Sequence, residues 1–166
     1  DINVNRHSLS TGPMNAPDKP DLSTTLLVRD SCLCLYTQRA ARALARRFDT
    51  AFKPLGISSG QFSLLMSLNR PQPPRLRSVA DLLAMDRTTL TANLKPLERK
   101  GFVETVTDPA DRRARLLKLT SEGKAVLARA VPLWCSLHAR IETGLTNPDQ
   151  LRQELDRLLG TGEHAG

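Results

Sequence analysis

From Val28 onward, apolar residues recur every three or four positions over most of the chain. Leu33, Tyr36, Ala40, Leu44, Phe48 and Ala51 mark one face of a long first helix, with Arg39, Arg42, Arg46 and Arg47 largely between them. Lys53-Pro54 closes it, because proline disfavours a helical residue before it. Ser58 followed by Gln61 predicts a capping box. Phe62, Leu65 and Met66 then give the buried face of a second helix that runs to Asn69. Pro71, Pro73 and Pro74 interrupt the chain, and Arg75-Leu76-Arg77 reads as a short edge strand. Ser78 is expected to cap a third helix, with Asp81 in its first turn. Asp86 caps a fourth, whose inward stripe is Leu90, Leu94 and Leu97. Arg87, Thr88, Thr91 and Lys95 fall on the outward side, with Thr89 near its edge. Pro96 is expected to bend this helix, and Gly101 stands where a left-handed cap is wanted.

The pattern then changes. Phe102 to Thr107 and Leu116 to Leu119 are β-favourable runs around a basic loop, which predicts an antiparallel hairpin. Thr120 caps a fifth helix carrying Val126, Leu127, Ala130, Trp134, Leu137 and Ile141 on one side, with Pro132 bending it. Asn147-Pro148 is a cap with proline at the first helical position. It opens a last helix with Leu151, Leu155, Leu158 and Leu159. Asp1 to Leu22 has no apolar period and reads as a mobile arm. The expected division is an arm over 1–24, a first dimerisation helix over 25–57, a winged helix-turn-helix over 58–119 and C-terminal dimerisation helices over 120–166. The fold class is mainly α with a small β-hairpin wing. The stripes of the first and last helices are too apolar for water, so burial against a second copy is favourable.

Charge sharpens this picture. The 166 residues carry a formal net charge of +7. Between Arg70 and Lys118 there are 11 basic and 6 acidic residues, so most of the surplus lies around the helix-turn-helix and hairpin. That favours a polyanionic partner. Aromatic residues make up 4% of the chain, which weighs against a protein that stacks single-stranded bases. Three cysteines, Cys32, Cys34 and Cys135, do not make a disulfide framework. No run has the length of a membrane-spanning helix, and the cytoplasm is the expected compartment. His7, His138 and His164 are scattered. No metal-ligand spacing, glycine-rich phosphate loop or nucleophile with its base stands out, so neither an enzyme nor a cofactor is expected.

Gly56-Ile57 before Ser58 to Leu65, Asp86-Arg87-Thr88-Thr89-Leu90-Thr91 and Leu97-Glu98-Arg99-Lys100-Gly101 carry a specific resemblance. So does Asp108-Pro109-Ala110-Asp111-Arg112-Arg113 leading into Leu119-Thr120 and Gly123. From about Leu33 to Ile141 the chain resembles the MarR family of winged helix-turn-helix regulators. The resemblance implies a homodimer on a pseudo-palindromic duplex operator. It also implies repression relieved by an effector, a small aromatic molecule or an acyl thioester being typical. By the family pattern Asp111 positions a wing arginine, Arg113 enters the minor groove, and Arg112 and Arg115 touch phosphate. A guanidinium in a narrow, electronegative groove is physically reasonable. On the recognition helix, Thr88, Thr89 and Thr91 offer hydroxyls or methyls to base edges. Arg87 and Lys95 suit phosphate, which fixes register without reading sequence. Many relatives carry arginine where this chain has Ala92.

Two alternatives stay open. Cys32-Leu33-Cys34-Leu35-Tyr36 is similar to the reactive-cysteine region of the peroxide-sensing branch, with Cys32 as the thiol and Arg29 near it. That branch carries further tyrosines where this chain has Phe48 and Ser59. The plain reading is two small apolar residues packed at an interface, pointing away from each other on one helix and so not easily paired. The other alternative is a non-specific architectural DNA-binding protein, which would show no operator preference.

Overall fold

The computed structural model describes residues 19–160. The mobile arm expected before Lys19, with His7, lies outside the described residues, as does His164. The chain divides into two units, at Ala41/Arg42.

In the first unit the expected single helix is two. Asp21 accepts the Thr24 N–H at 2.9 Å and starts α1 (Leu22–Ser31), so regular structure begins earlier than expected. The helix stops at Cys32, whose backbone is extended (φ −73°, ψ 106°). Just before the break the Ser31 hydroxyl donates to the Leu27 carbonyl at 2.6 Å. Helix α2 (Leu33–Phe52) restarts at once, with the Tyr36 N–H on the Cys32 carbonyl at 3.1 Å. Cys32 and Cys34 are therefore not two positions of one continuous helix.

The second unit holds the core. A short 3-10 turn, Lys53–Leu55, follows α2 at the expected proline. The Ser58–Gln61 capping box forms and opens α3 (Ser59–Leu68). Phe62, Leu64 and Leu65 are buried, whereas Met66 is 39% exposed, so the buried stripe is rotated from the expected one. Phe52 stacks on Phe62 with ring centroids 4.7 Å apart. Helix α4 runs Leu76–Leu82 with Arg75 as its N-cap. The strand reading of Arg75-Leu76-Arg77 and the cap reading of Ser78 are both corrected here. Arg75 alone bridges the sheet, opposite Leu116, and the helix begins at the next residue. Asp81 lies in the last turn of α4, not the first.

Helix α5 (Arg87–Arg99) buries Leu90, Leu94 and Leu97 as expected and continues through Pro96. Its end is a Schellman cap. Gly101 has φ 69°, its N–H meets the Glu98 carbonyl at 2.9 Å, and the Phe102 N–H meets that of Leu97 at 2.9 Å. Strands β1 (Val103–Thr107) and β2 (Arg115–Leu119) pair antiparallel, Val103 opposite Leu119 and Thr107 opposite Arg115. Thr120 caps α6 (Ser121–Glu142) by accepting the Gly123 N–H at 3.0 Å. A Cβ on Gly123 would lie 2.2 Å from the Phe102 carbonyl oxygen, so only glycine lets α6 start this close to the hairpin. Asn147 and Pro148 open α7 (Pro148–Leu158), as the sequence indicates.

One core joins these elements. Phe52, Leu64, Leu65, Val79, Leu90, Leu97 and Leu117 are essentially inaccessible and come from α2, α3, α4, α5 and β2. Outside it the chain leaves apolar side chains in solvent, among them Leu151, Leu155, Leu158 and Leu159 at the C-terminal end.

Candidate nucleic-acid interface

The turn into α5 sets the first half of the site. Ala84 takes φ 49°, and the Met85 N–H reaches the Ala80 carbonyl at 2.9 Å, a Schellman end to α4 with alanine in the glycine position. Two residues later Asp86 caps α5. Its carboxylate accepts the Thr89 N–H at 2.8 Å and the Thr89 hydroxyl at 2.6 Å. These bonds, the Thr89 hydroxyl first, hold the Asp86 carboxyl below the usual carboxylate range. The buried leucines then fix which side of α5 faces out. Arg87, Thr88, Thr89, Thr91 and Lys95 are all exposed there, as the stripe indicates.

The three threonines differ. Thr89 is committed to Asp86, and Thr91 donates to the Arg87 carbonyl at 2.7 Å. Among the described residues the Thr88 hydroxyl has no partner. Thr88 and Thr91 share a shallow hollow with Arg87, Ala92 and Lys95. Thr89 is not part of it.

The wing is the second half. Asp108 Oδ1 accepts the Ala110 N–H at 2.9 Å, and the Asp108 N–H closes the loop on the Ala114 carbonyl at 3.2 Å. Asp111 accepts the backbone N–H of Arg113 at 3.0 Å. It bonds the arginine's main chain, not its guanidinium. Arg115 lies back on the loop, its Nη1 3.2 Å from the Arg112 carbonyl. Arg112, Arg113 and Arg115 are exposed.

Sequence reasoning missed the arginine that the wing does hold. Arg75 donates from Nε (3.1 Å) and Nη2 (2.8 Å) to Asp108 Oδ2, across 33 positions of sequence. The Ala110 amide and then Arg75 keep the Asp108 carboxyl below its ordinary range. The only signal was the acidic residue at the head of the wing loop; nothing local pointed to its partner. Arg75, Arg77, Arg87, Arg113 and Arg115 line one groove of about 520 Å³, with Asp81 and Asp86 as its carboxylates. The start of α5 and the wing arginines thus open onto a common space.

Cys32, at the helix break, accepts the Leu35 N–H at 3.5 Å, and Cys34 accepts from Gln38 Nε2 at 3.0 Å. Arg29 is paired with Asp30 at 2.6 Å. His138 stacks on Trp134, centroids 4.5 Å apart, and lies 3.7 Å from Glu142. Among the described residues no three His, Cys, Asp or Glu side chains cluster to hold a metal, and no helix is long and apolar enough to cross a membrane.

Residues 57–114, from just before α3 to the end of the wing loop, match the model of the MarR family. The fold agrees with that of the Mycobacterium tuberculosis transcriptional regulator MosR, solved in complex with DNA. The two are 32% identical, the match covers 80% of this chain and 97% of that one, and the TM-score is 0.74. This chain belongs to the MarR family. The transcriptional repressor CouR, solved bound to a 23-mer DNA duplex, is 30% identical, with 81% and 94% coverage and a TM-score of 0.66. The regulator PecS of Dickeya dadantii is 27% identical over 151 residues, 88% of this chain and 86% of that one. The chain is a MarR-type transcriptional regulator with the winged helical fold of that family.

Proposed function

We propose that two copies of this MarR-family regulator bind a pseudo-palindromic duplex operator and repress transcription until a small effector releases them. One observation carries this reading. Arg87 at the start of α5 and the wing guanidiniums of Arg113 and Arg115 border one basic groove, and Arg87 also lines the hollow that holds Thr88, Thr91 and Lys95. Thr88 and Thr91 read base edges from the major groove, and Arg87 and Lys95 hold phosphate. Arg113 enters the minor groove, Arg112 and Arg115 contact the backbone, and Asp111 orients the loop through the Arg113 amide. Thr89 serves the helix cap first. MosR and CouR, both 30% identical or more and both solved on DNA, support the partner; the name of CouR supports repression.

In this reading residues 58–119 form the reading head, and 25–57 with 120–166 form the dimerisation region. The exposed Leu22, Leu26, Leu27 and Val28 of α1 support it. So do Leu151, Leu155, Leu158 and Leu159 at the other end of the sequence. The effector is a small aromatic molecule or an acyl thioester. The protein works in the cytoplasm, as a binding protein and not as an enzyme.

The test is footprinting on the DNA upstream of its own gene, against random competitor, with the mass in solution measured alongside. Two protected half-sites about one helical turn apart are expected from a dimer. A monomer, or equal affinity for random duplex, overturns the reading and favours a non-specific architectural role.

A second reading concerns Cys32. Its position at a helix break, with the Leu35 amide on its sulfur, favours it as an oxidant-sensitive thiol. Peroxide is then expected to weaken operator binding in the wild type and in Cys34→Ser, but not in Cys32→Ser. Unchanged binding in the wild type ends this reading.

A further inference from the structure

We propose that Arg75 and Asp108 form a positioning pair, which sets where the wing presents Arg113. The inference deepens the DNA-reading function above and rests on it.

The wing tip has little else to hold it. From Pro109 to Arg115 no residue is buried; Asp108, 7% exposed, is the nearest that is. An arginine-rich loop cannot be fixed by apolar packing, so polar contacts must fix it. A continuous set of them runs from α4 to the tip. Arg75 holds Asp108 Oδ2 through two nitrogens, while Asp108 Oδ1 takes the Ala110 N–H. The Asp108 carbonyl takes the Asp111 N–H at 3.2 Å, and Asp111 in turn takes the Arg113 N–H. Every link from Arg75 to Arg113 is thus a hydrogen bond or a short step of backbone.

The near end of this set is anchored as well. The Leu117 N–H of β2 donates to the Pro74 carbonyl at 2.9 Å, and Arg75 bridges Leu116. One residue on, the chain enters α4, which buries Val79 and Ala80 in the core. Arg75 thus joins the rigid helix-turn-helix to the loop that must stay in register with it. A single-residue wing contact cannot be placed in a groove unless that distance is held.

Asp108→Asn gives an unusual sign. It removes a negative charge at the base of the wing, close to the arginines offered to DNA, so electrostatics alone would tighten binding. The positioning role predicts the reverse: operator affinity falls by about tenfold, with the variant still folded at the assay temperature by thermal melting. Arg75→Gln is expected to do the same, and Arg75→Lys, which keeps one charged donor, to do so less. In an Arg113→Ala background, Asp108→Asn is expected to change affinity little, because the residue through which it acts is gone. A purely structural role would give the same loss in both backgrounds. Unchanged or tighter binding by Asp108→Asn, or an equal loss without Arg113, overturns the positioning role. Failure of the wild type to prefer its operator would instead remove the DNA reading itself.

Discussion

Helix α5 and the wing both put cations on an exposed face, yet they are held by opposite means. The helix is fixed from beneath. Leu90, Leu94 and Leu97 are buried, and the exposed residues follow from that stripe. The wing tip, with no buried apolar residue, is held by hydrogen bonds and by one ion pair whose arginine side chain is 53% exposed. Damage to the helix should therefore appear as lost stability, and damage to the wing as lost binding with the fold intact.

The largest expected effect lies beneath the helix. Leu90→Ala removes a fully buried side chain from the centre of the core. It should cost about 3 kcal/mol of unfolding free energy, measured by urea denaturation. A loss under about 1 kcal/mol would mean that α5 is not anchored as described. At the wing, Arg113→Ala should leave stability within about 0.5 kcal/mol. It should cost about 1–3 kcal/mol of operator binding and lower the salt dependence by about one ion. If its melting temperature drops along with affinity, the contrast between the two regions fails.

This contrast also explains how much was legible in the sequence. A buried stripe is a periodic signal, so α3, α5, α6 and α7 could be read from spacing, with caps at Ser58, Asp86, Thr120 and Asn147. The hairpin strands could be read for the same reason. The Arg75–Asp108 pair has no period and spans 33 positions, so the spacing of residues does not reveal it. Local preference makes Arg75 a strand residue and Ser78 a cap, whereas in the fold residues 74 and 75 bond to β2 and α4 begins at the next residue. The break at Cys32 is equally hidden, because the apolar pattern runs straight through it.

Within α5 the threonines sharpen the comparison. Thr88→Ala should change the preference between operator variants by about 1 kcal/mol or more, read from competition binding. Thr89→Ala should instead lose about 0.5–1 kcal/mol of stability, since its hydroxyl bond is to Asp86. Preference should stay as it was. The opposite assignment would show that the cap does not decide which threonine reads.

Both regions also lean on a carboxylate with a lowered pKa, Asp86 in the helix and Asp108 in the wing. A group whose folded pKa is depressed adds stability above its unfolded pKa and loses it as the pH falls through the folded one. Melting temperature should therefore hold from pH 7 to about 5 on their account and decline below the unfolded aspartate pKa of about 3.9. Asp108→Asn should flatten part of that decline. The effect is modest, because Asp86 is exposed and Arg75 half-exposed.

The smallest effect concerns the joint that aims α5. Helices α4 and α5 both end in Schellman caps, one with Ala84 at φ 49° and the other with Gly101 at φ 69°. An L-residue in that conformation costs about 1–2 kcal/mol, and glycine escapes it at some cost in chain entropy. Ala84→Gly should thus stabilise by about 0.5–1 kcal/mol, a rise of about 1–4 °C in melting temperature. Ala84 is exposed, so no packing is lost. Operator affinity should not change, because the turn keeps its geometry and merely loses strain. A lower melting temperature would show that the Ala84 side chain favours this turn by limiting the unfolded chain more than it strains the folded one.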